Sequence, residues 1–235
     1  MKISDFSFSV FKAKIRNGVC LRIGPFIFRI KLEEKNSIID FYNIYQHYEI
    51  IEAECFIDFD ISVIPPNNIR RWIYRQVNFH IGNHKPFKPL PASQAYAMLE
   101  WGMNWCIANH AHHFFVLHAA VVEKNGVVII LPAESGSGKS TLCAALVYDG
   151  WRLFSDELAL ISLKDGDLYP TTRPINLKNN SIAVINTRSP DVYHSKVAFD
   201  THKGTVSLFQ PPKLSVDNIS HHKPPSFVIF PKYQK

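Results

Sequence analysis

A short glycine-rich segment carries the clearest chemistry in the sequence. Residues 133–140 read Ala-Glu-Ser-Gly-Ser-Gly-Lys-Ser and stand between an apolar run, 127–131, and a helix-forming run, 141–147. A glycine-rich turn that leads into a helix presents backbone N–H groups and the positive end of the helix dipole to an anion. In such a turn Lys139 supplies a charge for the β- and γ-phosphates, and the Ser140 hydroxyl can bind magnesium. We therefore predict that this glycine-rich loop binds ATP with Mg²⁺.

The residues predicted to bind the nucleotide are those of the loop and one arginine beyond it. The first motif position holds Ala133 rather than glycine, which still leaves little side chain at the turn. Arg173 is a further candidate cation for phosphate, although an arginine before a proline equally suits a pair with a surface carboxylate. The predicted set is Ala133, Glu134, Ser135, Gly136, Ser137, Gly138, Lys139, Ser140, Thr141 and Arg173.

Two adjacent carboxylates follow the loop. Only 17 positions separate Lys139 from Asp156, so we expect the chain to pass down one helix and to return near the loop on the next β run, 151–161. Successive strand residues point to opposite faces, so both carboxylates reach the phosphates only if the strand bulges or ends there. We predict that Asp156 takes a proton from an acceptor hydroxyl and that Ser140, Asp156 and Glu157 surround the metal. A solvent-facing acidic pair is the alternative.

A predicted hairpin brings a histidine to the loop. Asn125-Gly126 between two apolar runs is a strong hairpin signal. A two-residue turn pairs Lys124 with Val127 and places His118 opposite the first loop residue. From the residues alone, a functional role and a core role for His118 stay equally open.

The first part of the chain, residues 1–91, is predicted to be a small β-rich domain. Apolar and polar residues alternate in three of its segments, as in strands with one buried face. These segments are 20–23, 26–30 and 55–61. The proline-spaced stretch 85–91 then serves as a stiff connector, because proline excludes helix interiors and ladder donors.

The second part, residues 92–235, is predicted to be the α/β domain that carries the loop. It opens with a helix that Ser93 caps and that runs to about His110. The hairpin then leads into the loop within a mixed sheet.

Composition narrows the function classes. The formal net charge is +6, but basic and acidic residues are interspersed, so we expect no nucleic-acid partner. No apolar run approaches the roughly 20 residues that span a bilayer, so we expect no membrane insertion. Four cysteines without a CxxC pair favour a reducing cytoplasm. A homo-oligomer stays open.

With these residues the chain resembles the HPr kinase/phosphorylase superfamily, and more closely the group called HprK-related kinase A. The superfamily resemblance covers 118–161, and it implies that His118, Lys139, Ser140 and Asp156 are the functional set, with His118, Lys139 and Asp156 catalytic. The closer resemblance extends over most of the chain. Its matching blocks are 24–26, 89–92, 99–106, 150–157, 173–179, 203–206 and 228–233. It implies a P-loop kinase domain of the HPr kinase type.

Two departures from the family pattern bear on the acceptor. Glu157 stands where HPr kinases carry a second aspartate, and the glycine-rich signature that helps those enzymes act on HPr has no counterpart. Both argue against HPr itself as the acceptor. The group usually continues beyond the strand-like run 226–231, so the resemblance implies a C-terminally truncated domain.

The function predicted from the sequence is phosphoryl transfer. The leading hypothesis is an ATP- and Mg²⁺-dependent kinase that acts on a hydroxyl, of the serine type, in a protein or peptide. The alternatives are a P-loop ATP hydrolase or nucleotide-sensing switch, and a degenerate nucleotide-binding module.

Overall fold

The computed structural model describes residues 1–51, 55–134 and 136–232. Within these ranges the protein is mixed α/β, as predicted, with its strands arranged in three sheets. The helices are α1 Phe8–Asn17, α2 Lys35–Ile44, α3 Ala95–His110, α4 Lys139–Tyr148, α5 Asn180–Arg188 and α6 Lys213–Asp217. The strands are β1 Val19–Ile23, β2 Phe26–Leu32, β3 Phe59–Ile64, β4 Gln76–Ile81, β5 Leu90–Pro91, β6 Phe114–Lys124, β7 Val127–Pro132, β8 Arg152–Ser155, β9 Leu158–Ser162, β10 Leu168–Tyr169, β11 Ile175–Lys178, β12 Ala198–Thr201, β13 Gly204–Phe209 and β14 Phe227–Val228.

The N-terminal sheet has the order β1-β2-β3-β4-β5. Gly24 lies in the turn between its first two strands at φ +59°, where a Cβ would lie 1.9 Å from the carbonyl oxygen of Pro170. The third strand begins at Phe59 rather than at residue 55. Helices α1 and α2 were missed by the β-rich prediction. Ser7 caps α1, and the apolar residues Phe11 and Ile15 face the core at helical spacing.

Helix α3 packs on this N-terminal sheet. Gly102 lies against the ring of Phe79 on β4, where a Cβ would be 2.0 Å from a ring carbon. The predicted cap is wrong, because Ser93 lies within a 3-10 turn, Ala92–Gln94, and α3 starts after it without a side-chain cap. The largest core cluster contains residues from both sides of position 91, including Phe79 and Leu99. A division of the chain at that position stays a prediction.

The central sheet has the order β10-β9-β6-β7-β14, and β8 also pairs with β6. The hairpin prediction is confirmed, since Asn125 (φ +52°) and Gly126 (φ +87°) form the turn and Lys124 pairs with Val127. β8 and β9 run along the same side of β6, and the chain bends between them. Strand β8 therefore ends just before the carboxylate pair. The sequence argument required either a bulge or a strand end at this point if both carboxylates were to reach the phosphates.

A third, small sheet of order β11-β13-β12 closes the fold around α4. Cys143, Ala144 and Val147 of α4 pack between this sheet and the central one, against residues such as Leu131 and Ile175. Gly150 follows α4 at φ +89°, the left-handed conformation common just beyond a helix end. In the ranges that the structure describes, no helix is both long and apolar enough to cross a membrane.

Candidate functional site

A cavity of about 560 Å³ opens at the glycine-rich loop. This volume lies in the range of small-molecule and cofactor sites. Six of the predicted nucleotide-binding residues line it: Glu134, Gly136, Gly138, Lys139, Ser140 and Thr141. Ala133 and Ser137 are neighbours in the loop but are not part of the lining, and Ser135 lies outside the described residues.

The shared strand β6 brings the separate parts of the site together. Ala119 pairs with Pro132 of β7, the strand that feeds the loop. On the other side, the Ala119 N–H donates to the carbonyl oxygen of Glu157 at 3.1 Å, and His118 pairs with Leu158 of β9. The histidine, the loop and the carboxylates therefore lie at one level of the sheet.

The loop has the geometry of an anion cradle. Gly136 (φ +90°) and Gly138 (φ +89°) adopt a left-handed conformation that side chains disfavour, and Gly138 directly precedes α4. The first amides of a helix lack intrahelical acceptors, so those at the start of α4 are available to a ligand. The Ser137 hydroxyl is buried and finds no partner among the described residues. The loop thus offers several unused donors.

Lys139 lies at the floor of the cavity. Its side chain is largely buried, and Nζ donates to the carbonyl oxygen of Asp156 at 2.6 Å. The sequence argument that Asp156 returns beside the loop is confirmed by this contact. An ammonium has three donors, so two remain for phosphate oxygens.

Asp156 is buried beneath the loop. Its Oδ2 accepts a hydrogen bond from the Asn176 N–H at 3.0 Å. Burial is the main cause of a raised pKa for this carboxyl, and the charge of Lys139 opposes the shift. The Ser140 hydroxyl is close enough to lower the pKa slightly, yet Oδ1 receives no hydrogen bond of normal geometry from the described residues. Asp156 is not part of the cavity lining.

Glu157, in contrast, lines the cavity. Its carboxylate accepts hydrogen bonds from the side-chain amides of Asn104 and, at 3.4 Å, Asn176. Burial alone raises its pKa, but nearby cations outweigh burial and lower it. These cations are Lys203, Arg173, Lys139 and Lys178, in decreasing order. Glu157 is therefore ionised at neutral pH.

These positions bear on the roles predicted from the sequence. Asp156 was predicted to take the proton of the acceptor hydroxyl, and Ser140, Asp156 and Glu157 were predicted to surround the metal. In the structure Glu157 faces the cavity, whereas Asp156 sits behind the loop next to Ser140. The two carboxylates point in different directions, as strand alternation predicts, but alternation does not tell which of them faces the cavity.

Ser140 and Asp156 fit a magnesium ion. Among the residues that the structure describes, no three His, Cys, Asp or Glu side chains form a ready metal cluster. Mg²⁺ is commonly held by one or two carboxylates together with substrate phosphates and waters. The unpartnered Oδ1 of Asp156 beside the Ser140 hydroxyl matches that requirement.

Arg173 does not line the cavity. Its Nη1 donates to Glu100 Oε2 at 3.2 Å, and Nη2 donates to Asn104 Oδ1. Tyr45 donates to the other carboxylate oxygen of Glu100 at 2.8 Å. Arg173 therefore pairs with a carboxylate, which was the alternative to phosphate binding, but the partner Glu100 is buried and not at the surface. A chain of contacts runs from Glu100 through Arg173 and Asn104 to Glu157, so Arg173 supports the site from behind.

Glu100 leads to a stability prediction. Burial raises its pKa from 4.5 to about 7 against the charge of Arg173. The folded state therefore holds the proton more tightly than the unfolded state, and stability falls as the pH rises from 4.5 to about 7. The loss is about 3 kcal/mol. We expect Glu100→Gln to remove this pH dependence, measured by urea unfolding at pH 5 and pH 8.

The control for this prediction is Glu49→Gln, which changes an exposed carboxylate and should preserve the slope. The glutamine variant should match the wild type at pH 5, where Glu100 is already neutral, and should keep that stability at pH 8. A slope in Glu100→Gln equal to that of the wild type contradicts the prediction.

His118 is at the cavity, as its hairpin register required. Partial burial is the main cause of its lowered pKa, followed by the charge of Lys139. The imidazole is therefore neutral at pH 7 and can donate one hydrogen bond to a phosphate oxygen. No hydrogen bond joins His118 to Asp156 among the described residues.

The sequence argument missed two cations of the site, Lys178 and Lys203. Lys178 ends β11 and Lys203 lies in the turn between β12 and β13, and both line the cavity. Their only sequence signal was membership of the blocks 173–179 and 203–206, which carry no motif of their own.

Comparison with known proteins does not assign the chain to a family. No family model matches the chain, and a search of curated proteins finds no significant match.

Proposed function

We infer that the protein is a P-loop phosphotransferase, which binds ATP with Mg²⁺ and transfers the γ-phosphoryl group to a hydroxyl. The observation that carries this inference is the convergence of Lys139, Ser140, His118 and Glu157 on one cavity, with Asp156 behind the loop. Within that class, the hairpin that leads into the loop supports a kinase of the HPr kinase type. The acceptor is then a serine-type hydroxyl in a protein or peptide.

Each residue of the cavity has a separate role in the proposed reaction. The amides at the start of α4 and the Lys139 ammonium hold the phosphates, and neutral His118 donates to an oxygen of the group that moves. The acceptor oxygen forms a bond to the γ-phosphorus while the bond to the β–γ bridging oxygen breaks and ADP leaves. Glu157 accepts the hydroxyl proton, since it is the ionised carboxylate on the cavity wall.

Ser140 and Asp156 would hold the Mg²⁺. The ion supplies positive charge that neutralises the phosphate oxygens. Lys139 already anchors the backbone of Asp156, so the metal-holding and phosphate-holding residues form one unit. All four cysteines are free, which fits the reducing cytoplasm that we propose as the location.

The test is incubation of the protein with γ-labelled ATP, Mg²⁺ and extract of its own cells. We expect label to move to a protein, at an alkali-labile, acid-stable serine phosphate. The Lys139→Ala variant should transfer none, and Lys164→Ala, which changes an exposed lysine in the turn after β9, should behave as the wild type. Labelled free phosphate as the sole product would instead favour an ATP hydrolase.

A further inference from the structure

Two lysines of the cavity make no close ion pair among the described residues, although the charge of Glu157 acts on both. Lys178 is half-buried, and neither its ammonium nor that of Lys203 makes a hydrogen bond or ion pair with the described residues. Lys203 instead lies 5.4 Å from the ring centre of Trp101 on α3. Burial and then the charge of Lys203 lower the pKa of Lys178. Two unpaired cations in one cavity repel each other, and an anion bound with them relieves that cost.

The backbone around this lysine pair is held in place. Asn179, next to Lys178, has φ +51°, an uncommon conformation for a residue with a side chain. Its N–H donates to the Thr205 carbonyl oxygen at 2.9 Å, and its Oδ1 accepts from the Thr205 N–H at 3.1 Å. The glycine at position 204 leaves room for this Asn179 side chain, since a Cβ there would lie 2.7 Å from the Asn179 Oδ1. The end of β11, which carries Lys178, is thus joined to the turn that carries Lys203.

The lysine pair lies on the acceptor side of the site. The nucleotide phosphates already have partners in the proposed reaction, namely Lys139, the amides at the start of α4 and the metal ion. Lys203 is the strongest cationic influence on Glu157, the group that receives the acceptor proton. In phosphoryl transfer the attacking and leaving oxygens lie in line on opposite sides of phosphorus. A molecule whose hydroxyl points at Glu157 therefore extends toward Lys203 rather than toward the loop.

We propose that Lys178 and Lys203 form an anion subsite for the acceptor, which carries a carboxylate or phosphate group close to the hydroxyl that is phosphorylated. This proposal rests on the proposed function and names the chemistry of its acceptor. In a peptide, the group is an acidic or phosphorylated residue beside the serine. The subsite discriminates against hydroxyls in neutral or basic surroundings.

The binding test uses inorganic phosphate as the probe. The full chain is saturated with the non-hydrolysable analogue AMP-PNP and Mg²⁺, so that the loop is filled, and phosphate is then titrated by calorimetry. We expect one phosphate to bind, and Lys178→Gln and Lys203→Gln each to weaken it about 10-fold. AMP-PNP affinity should change less than about 3-fold, and Lys164→Gln should change neither.

The kinetic test compares serine peptides that differ only in Glu or Gln, or phosphoserine or serine, beside the acceptor. The wild type should prefer the charged member of each pair, Lys203→Gln should lose that preference, and the preferred pair identifies which anion is the source. Failure of AMP-PNP to bind the wild type overturns the nucleotide site and the subsite together. Binding of AMP-PNP without phosphate, or an equal loss of both affinities in the variants, overturns the subsite alone.

Discussion

The Asp156→Asn and Glu157→Gln variants will lose activity in different ways. Asp156→Asn should raise the Mg²⁺ concentration that gives half-maximal activity by about 10-fold or more, because an amide replaces a buried carboxylate beside Ser140. Glu157→Gln should lower kcat by about 10²-fold to 10⁴-fold and leave the Mg²⁺ requirement unchanged, because a cavity-facing proton acceptor is lost.

The measurement is the initial rate against Mg²⁺ concentration at saturating ATP, with Asp165→Asn, an exposed carboxylate, as the matched control. Both replacements are close in shape to the original side chain, so the fold should persist, as circular dichroism can check. The assignment of roles is wrong if Glu157→Gln shifts the Mg²⁺ curve and Asp156→Asn lowers kcat alone.

Lys139→Ala is expected to have the other large effect. The Lys139 side chain is buried and lines the cavity. Its ammonium also makes the only hydrogen bond that the Asp156 carbonyl oxygen receives from the described residues. Its loss removes charge from the phosphates and leaves that carbonyl oxygen unpaired. We expect kcat/KM for ATP to fall by about 10²-fold to 10³-fold.

Binding of a fluorescent ATP analogue separates the two consequences. A weaker affinity with an unchanged melting temperature indicates loss of the phosphate contact, and a lower melting temperature reports the unpaired carbonyl. Lys164→Ala should alter neither. Wild-type kcat/KM in the Lys139→Ala variant would refute the predicted phosphate contact.

Local chemistry explains which parts of the site could be predicted. The glycine-rich loop, the Asn125-Gly126 turn and the return of Asp156 all follow from residues that are close in sequence. His118 followed from counting register along one hairpin. Each inference needed a turn type or a strand period, and these are properties of the local chain.

Other parts depended on packing between distant segments. Asn104 reaches Glu157 from α3, which packs on the N-terminal sheet, and Lys178 lies at the cavity at the end of β11, which pairs with β13 in the third sheet. The division of work between Asp156 and Glu157 depended on burial, which two adjacent carboxylates in a sequence do not reveal. Helices α1 and α2 lie outside the three alternating segments on which the β-rich prediction was based, so that prediction missed them.

The contact between Gly102 and Phe79 connects the N-terminal sheet to the chemistry. No described residue of 1–91 lines the cavity, yet the ring of Phe79 leaves no space for a side chain at 102 and so sets how closely α3 approaches β4. Glu100 and Asn104, two residues to either side, hold Arg173 and Glu157. We therefore expect any side chain at position 102 to displace Glu100 and Asn104, and through them Glu157, although Gly102 itself does not line the cavity.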